Sequence, residues 1–183
     1  SPIFDKSFVS GRNHSIKKRN KSDLYDEYAT SLRMSEVGYQ SHHQRALDIK
    51  YNSLDGFIES LKKGVFEEYE VFKRLGLYDE KNERQQISSG ILQIENELYD
   101  SIRPKRKGAS ETRPIELLSN KGIEYVEVRG IDLSPNSLTG ISKSEMRLLD
   151  VFLIHCLITE SKSISQSEYC LLYTSDAADD GLC

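Results

Sequence analysis

The sequence has 183 residues, of which 37% are hydrophobic and 30% are charged. This composition is typical of one modest globular domain with a core of its own. The formal net charge of −4 gives no general case for nucleic acid or an acidic membrane as a partner. No apolar run approaches the roughly 18 to 20 residues that span a membrane.

The first half of the chain begins with a polar segment and continues with two predicted helices. Residues 1–27 read as a solvated loop, in which the basic run at 14–21 leaves a nucleic-acid-binding patch open as an alternative. Apolar residues then recur with the period of an amphipathic helix that ends at Gly64, and a second helical run continues to Gly76. The helical pattern starts with Leu54, Phe57, Ile58 and Leu61.

The second half is predicted to pair two antiparallel strands. From residue 91 the apolar period changes to two, and Pro104 limits this strand because proline cannot donate a ladder hydrogen bond. Residues 105–114 read as a loop, and residues 123–129 as the next strand. Ser142 and Glu145 then form a capping-box pattern, and the helix after them carries an apolar stripe that ends at Cys156, predicted to be a core residue. The predicted fold class is α+β, an antiparallel sheet with helices packed on one side.

Charged side chains on the second strand indicate a site. Alternation places Glu127 and Arg129 side by side on one face and the two valines, Val126 and Val128, on the other. A carboxylate and a guanidinium held this way suit a metal ion beside a phosphate, and a surface ion pair is the alternative. Glu95 and Glu97, on one face of the first predicted strand, suit either a second metal or glutamates that are solvated or ion-paired.

Three segments together resemble the bacterial glutamate–cysteine ligases (γ-glutamylcysteine synthetases). They are Tyr-Ala-Thr-Ser-Leu-Arg-Met-Ser-Glu-Val-Gly-Tyr at 28–39, Leu-Gln-Ile-Glu-Asn-Glu-Leu-Tyr-Asp-Ser-Ile-Arg-Pro-Lys-Arg at 92–106 and Gly-Ile-Glu-Tyr-Val-Glu-Val-Arg at 122–129. The resemblance implies part of a glutamine-synthetase-like antiparallel β-sheet funnel. It also implies ATP-dependent ligation of L-glutamate, through γ-glutamyl phosphate, to L-cysteine, the first step of glutathione biosynthesis, in the cytoplasm.

The resemblance also implies roles for individual residues. Glu127 matches a ligand of Mg²⁺, with Mn²⁺ as an alternative metal, and Arg129 matches a catalytic arginine on the phosphate side. Arg33 matches the arginine near the glutamate carboxylate and the acyl phosphate, so both catalytic and substrate-binding roles are expected. Tyr39 matches a tyrosine of the cysteine pocket, with core packing as the alternative.

The sequence leaves open the roles of two more cations and three alternative functions. Arg103 and Lys105 are candidates for binding ATP phosphates or are residues of a solvated loop. A related carboxylate–amine ligase with another amine acceptor is a close alternative function. A module that binds nucleic acid through basic loops, and a structural role for the ion pairs, rank below it. No obligate protein partner is predicted.

The two ends of the sequence lead to expectations about its completeness. Residues 1–169 are expected to be an incomplete catalytic domain that is inactive alone, because in the resembled family most metal-binding acids and a histidine ligand precede this region. Residues 170–183 resemble the translation of a sequencing-library adapter and are expected to be an artefact. Without the three aspartates of that tail the net charge becomes −1, and Cys156 is the only cysteine left. No disulfide framework is therefore predicted.

Overall fold

The computed structural model describes residues 3–5, 17–25, 31 and 41–169. The chain forms two compact units, residues 39–130 and residues 1–38 with 131–183. Short antiparallel sheets and helices occur together, which confirms the α+β class. The expected adapter tail at 170–183 lies outside the described residues. In the part of the chain that is described, no helix has both the length and the apolar character needed to cross a lipid bilayer.

The unit formed by the two ends contains a three-stranded sheet where a loop was predicted. Strands β1 (Ile3–Asp5), β2 (Lys17–Lys18) and β3 (Asp23–Tyr25) pair antiparallel in the order β1-β3-β2. The Asn20 side chain closes the β2–β3 turn by accepting hydrogen bonds from the Ser22 and Asp23 amides, as asparagine commonly does in turns. Strands of two or three residues are too short to produce a detectable alternation, so the loop prediction was wrong here.

Helix α4 belongs to the same unit, and its start is as predicted. It spans Lys143–Ile158. The Ser142 hydroxyl accepts from the Glu145 amide, and the Glu145 carboxylate accepts from the Ser142 amide, so the capping box is confirmed. The predicted burial is wrong, because no residue of this helix is buried and Cys156 is exposed. Helical spacing shows which residues share a face, but it does not show what covers that face.

The second unit has its core around helix α1, Leu54–Phe66. Phe57, Ile58 and Leu61 are buried, as the helical spacing predicted, and pack in one cluster with Leu92 and Leu118. The helix does not end at Gly64 but continues two residues further, with this glycine buried against the core. A Cβ at this position would lie 2.9 Å from the Leu47 side chain.

Two shorter α-helices follow α1 in this unit. Helix α2, Glu70–Leu75, begins later than predicted and ends as predicted at Gly76, whose φ of 82° suits glycine. Helix α3, Pro114–Lys121, was missed, and lies between the predicted loop at 105–114 and the predicted strand at 123–129. Its sequence signals are a proline at the first helical position and Gly122 after the last, a combination favoured at helix ends.

The first of the two paired strands lies later in the chain than predicted, and the second lies within the predicted range 123–129. Strand β4 is Ile102–Lys105, and it pairs antiparallel with β5, Tyr125–Val128. The strand predicted from residue 91 is replaced by irregular chain and a 3-10 helix at Glu95–Glu97. Local bonds explain the difference, because the Glu97 carboxylate accepts from the Gln93 amide and competes with a ladder. Pro104 lies inside β4, which a two-stranded sheet tolerates at its edges.

Candidate active site

The register of β4 and β5 brings charged residues from both strands onto one face. Arg103 lies directly opposite Glu127. Lys105 ends β4 two residues after Arg103, and Arg129 directly follows β5, two residues after Glu127, so both share that face. We call Arg103, Lys105, Arg129 and the central Glu127 the cationic cluster. The predicted placement of Glu127 and Arg129 on a common face is confirmed by their ion pair.

Glu127 is the single anion at the centre of three cations. Its carboxylate oxygens lie 3.3 Å from Arg103 Nη2, 3.8 Å from Arg129 Nε and 3.9 Å from Lys105 Nζ. These separations exceed the 2.7–2.9 Å of a tight charge-assisted hydrogen bond. Glu127 therefore cancels one of the three positive charges without occupying all the donors, and the cluster keeps a net charge of +2.

Backbone and amide oxygens from the segment before β4 hold the three cations. The Asn96 carbonyl accepts from Arg103 Nη1 at 2.8 Å, and the Asn96 amide oxygen accepts from Lys105 Nζ at 3.0 Å. The Leu98 carbonyl accepts from Arg129 Nη1 at 3.4 Å. The same guanidinium lies over the Tyr99 ring, 5.9 Å from its centroid. Neutral oxygens thus orient the cations without cancelling their charge.

Burial lowers the pKa values of two of the cations, Arg103 and Lys105. Arg103 is 8% exposed. Burial lowers its pKa first, the positive charge of Arg129 lowers it further, and Glu127 opposes both. Arginine nevertheless stays charged at any relevant pH. Burial also lowers the pKa of Lys105, and the charge of Arg103 adds to this effect.

Two buried polar atoms of the cluster have no hydrogen-bond partner. They are the Arg103 Nε–H group and Glu127 Oε2. A buried donor or acceptor without a partner costs roughly 1 to 3 kcal/mol. Buried polar groups normally have a partner, and a bound water, ion or ligand would each supply one here. An unpaired guanidinium donor beside two other cations suits an oxyanion such as phosphate.

The described residues satisfy part of what a divalent metal requires. Glu127 Oε2 is a hard oxygen ligand of the kind that Mg²⁺ prefers, and its contacts with Arg103 Nη2 at 3.3 Å and Lys105 Nζ at 3.9 Å are longer than tight hydrogen bonds. Within ranges 17–25 and 41–169, no group of three or more histidine, cysteine, aspartate or glutamate side chains could hold a metal. Glu127 therefore fits as one ligand of a metal and not as a complete site.

The other residues predicted from sequence have varied outcomes. Arg33 and Tyr39 lie outside the described residues, and their roles stay predictions. Arg103 and Lys105 lie on β4 and not in a solvated loop. The pairing of Glu95 with Glu97 on one strand face is wrong, because both lie in a 3-10 helix.

Glu95 instead makes a structural ion pair. Its carboxylate is buried and accepts from Arg113 Nε at 2.8 Å. Their hydrogen bond is the largest contribution that raises the pKa of Arg113. The same guanidinium packs over the Phe66 ring at 4.7 Å. This arrangement leaves Glu95 no evident part in a metal site.

A second polar cluster fixes the base of β4. The Tyr51 hydroxyl donates to the Asp100 carboxylate at 2.6 Å and to the Ile102 carbonyl at 3.2 Å. Burial raises the pKa of Asp100, while the bonds from Tyr51 and Ser101 partly oppose the increase. Sequence reasoning missed Tyr51 and Asp100 because they lie 49 residues apart and leave no local pattern. It missed Asn96 because a turn of the chain, and not a strand period, brings it to Arg103 and Lys105.

Comparison with known proteins gives a consistent result. The sequence profile of a family described as glutamate–cysteine ligase matches residues 1–176. The glutamate–cysteine ligase of Pseudomonas syringae pv. syringae is 43% identical over 169 residues, which cover 92% of this chain and 32% of that protein. The glutamate–cysteine ligase of Alcanivorax borkumensis is 41% identical over 179 residues, covering 96% and 34%.

A solved structure resembles the whole chain. It is the crystal structure of glutamate–cysteine ligase from Francisella tularensis in complex with AMP, which is 34% identical. The superposition has a TM-score of 0.76 and covers 100% of this chain and 37% of that one. The chain therefore spans about a third of the length of the curated relatives that it matches.

Proposed function

The chain belongs to the glutamate–cysteine ligase family, and we propose that the full-length protein joins L-glutamate to L-cysteine at the expense of ATP. In this reaction the γ-carboxylate of glutamate attacks the γ-phosphorus of ATP, giving γ-glutamyl phosphate and ADP. The cysteine amine then attacks the acyl carbon, loses a proton and expels phosphate, leaving γ-glutamylcysteine, the precursor of glutathione.

The cationic cluster is the observation that carries this proposal. Phosphoryl transfer depends on fixed positive groups that neutralise charge on the transferred phosphoryl oxygens. Arg103, Lys105 and Arg129 supply such groups on one face beside Glu127, and the cluster keeps a net positive charge that suits an anion. The AMP bound to the Francisella tularensis relative supports an adenine nucleotide as the ligand.

We assign the roles as follows. Arg129 contacts the transferred phosphoryl group and is the catalytic cation, while Arg103 and Lys105 bind the remaining phosphates of ATP. Arg33 binds the glutamate carboxylate and the acyl phosphate, and Tyr39 lines the cysteine pocket.

Glu127 is proposed to be one ligand of Mg²⁺ (or Mn²⁺), whose other ligands come from outside the described residues. When bound, the metal neutralises phosphate oxygens of ATP. The cytoplasmic location remains a prediction.

The test follows ADP release by the full-length protein expressed from the complete gene. ATP, Mg²⁺ and glutamate are supplied with and without cysteine, for the wild type and for Arg129→Ala. Loss of an interaction made in the transition state typically lowers kcat about a hundredfold or more. We expect cysteine-dependent ADP release that falls by this amount in Arg129→Ala.

Arg74→Ala is the matched control, because this arginine is exposed and pairs with Glu70 on the same helix α2. We expect it to retain wild-type turnover. If ADP release depends on another amine and not on cysteine, the proposed mechanism stands but the amine acceptor is not cysteine. The absence of turnover in a folded, metal-loaded wild type would refute the ligase assignment.

A further inference from the structure

Gln44 connects two distant parts of the chain through its side-chain amide. It lies in the 3-10 helix His42–Ala46. Its Nε2 donates to the Glu97 carbonyl at 2.9 Å, and its Oε1 accepts from the Tyr99 amide at 2.8 Å. The contacts join residues more than fifty positions apart. One planar amide therefore binds the backbone on both sides of Leu98, in the way that a strand partner would.

The segment that Gln44 holds is also the segment that contacts Arg129. The Leu98 carbonyl accepts from Arg129 Nη1 at 3.4 Å, and the Tyr99 ring lies beneath the same guanidinium. The Leu98 side chain is 2% exposed and anchored in the hydrophobic core. Arg129 thus depends on a backbone segment fixed by the core from one side and by Gln44 from another.

We propose that Gln44 is a positioning residue that holds the Glu97–Tyr99 backbone so that Arg129 is aimed at the transferred phosphoryl group. The inference rests on the proposed role of Arg129. Gln44 contacts no reacting atom in this view. It acts because the donors of a catalytic guanidinium must be placed within a fraction of an ångström of the developing charge.

The proposal predicts a lower kcat for each folded molecule, and not merely a smaller amount of folded protein. Gln44→Ala removes both bonds, and we expect kcat per folded molecule to fall about tenfold, because misplacement by about 1 Å can cost up to a hundredfold. The KM values for glutamate and cysteine should stay within about twofold, since uniform binding is unaffected. A purely structural role would lower the melting temperature and leave kcat per folded molecule unchanged.

A second variant provides a pH-dependent readout. In Gln44→Glu the ionised carboxylate still accepts from the Tyr99 amide but no longer donates to the Glu97 carbonyl. A protonated carboxyl can do both, as the amide does. The kcat of Gln44→Glu relative to wild type should therefore recover as the pH falls towards the titration of this carboxyl.

Gln85→Ala serves as the matched control, because that amide makes a single 3.3 Å bond to the Leu75 carbonyl at an exposed position. All variants are tested in the full-length protein beside Arg129→Ala. If Arg129→Ala abolishes turnover while Gln44→Ala keeps wild-type kcat, the inference is wrong and the proposed function stands. If Arg129→Ala is fully active, the proposed role of Arg129 is wrong, and the inference about Gln44, which rests on it, is wrong as well.

Discussion

Glu127→Gln removes the only negative charge of the cationic cluster while preserving the shape of the side chain. The net charge of the cluster then rises from +2 to +3. Three ion pairs at 3.3, 3.8 and 3.9 Å are lost, each worth about 1 kcal/mol in a water-like dielectric and more where solvent is excluded. Glu127 is 39% exposed, so part of this attraction is screened. We expect the β4–β5 sheet to lose about 2 kcal/mol of stability.

Amide hydrogen exchange in the full-length protein measures this loss locally. The Arg129 amide donates to the Ser101 carbonyl at 2.7 Å and reports on the end of the sheet. A loss of 2 kcal/mol corresponds to exchange roughly 30-fold faster, at 1.36 kcal/mol per factor of ten. Because screening weakens charge interactions, the difference between variant and wild type should shrink at about 1 M salt.

Glu124→Gln is the matched control for this experiment. Glu124 lies just before β5, where it pairs with Arg106 at 3.8 Å and accepts from the Lys107 amide at 3.0 Å. Both side chains of the ion pair are partly exposed, and a glutamine oxygen can still accept from the amide. We expect this change to cost about 0.5 kcal/mol or less. Equal effects of the two substitutions, or no change at Glu127, would refute the view that a central anion stabilises the cluster.

Two further predictions concern pH. Because the pKa of Lys105 is lowered, this lysine loses its charge below the ordinary value of 10.5, and the KM for ATP should rise at alkaline pH before that value is reached. Lys105→Arg should remove this rise. If KM depends on pH in the same way in Lys105→Arg and in the wild type, Lys105 does not bind ATP. The raised pKa of Asp100 means that, above the ordinary value of 3.8, the unfolded chain ionises before the folded one, so the stability contribution of this carboxyl falls as pH rises through that window. Amide-exchange protection of β4, measured as the pH is raised from 3.8, should show this fall in the wild type and a flatter profile in Asp100→Asn. Parallel profiles in the two proteins would contradict the prediction.

Local patterns in the sequence were sufficient for several elements. The spacing of Phe57, Ile58 and Leu61 predicted the buried face of α1, and the Ser142–Glu145 pair predicted the start of α4. The alternation in β5 predicted that Glu127 and Arg129 share a face. These features depend on neighbours within about four residues, so they can be read from a single segment.

Other features depend on residues distant in the chain and could not be predicted locally. Where a strand was predicted, Glu95 instead lies in a 3-10 helix and pairs with Arg113, which is 18 residues away. The stripe of α4 is apolar, yet no part of it is buried. Burial depends on what packs against a helix, which its own period does not contain.

The sequence by itself determined the family, the chemistry of the side chains on β5 and the helices with clear periods. Only the tertiary structure decided that Arg103 lies opposite Glu127, that Asn96 orients two of the cations and that Gln44 fixes the segment beneath Arg129. The physical reason is the range of the interactions. Periodicity and capping act within a few residues, whereas strand register and amide contacts across fifty residues exist only once the chain has folded.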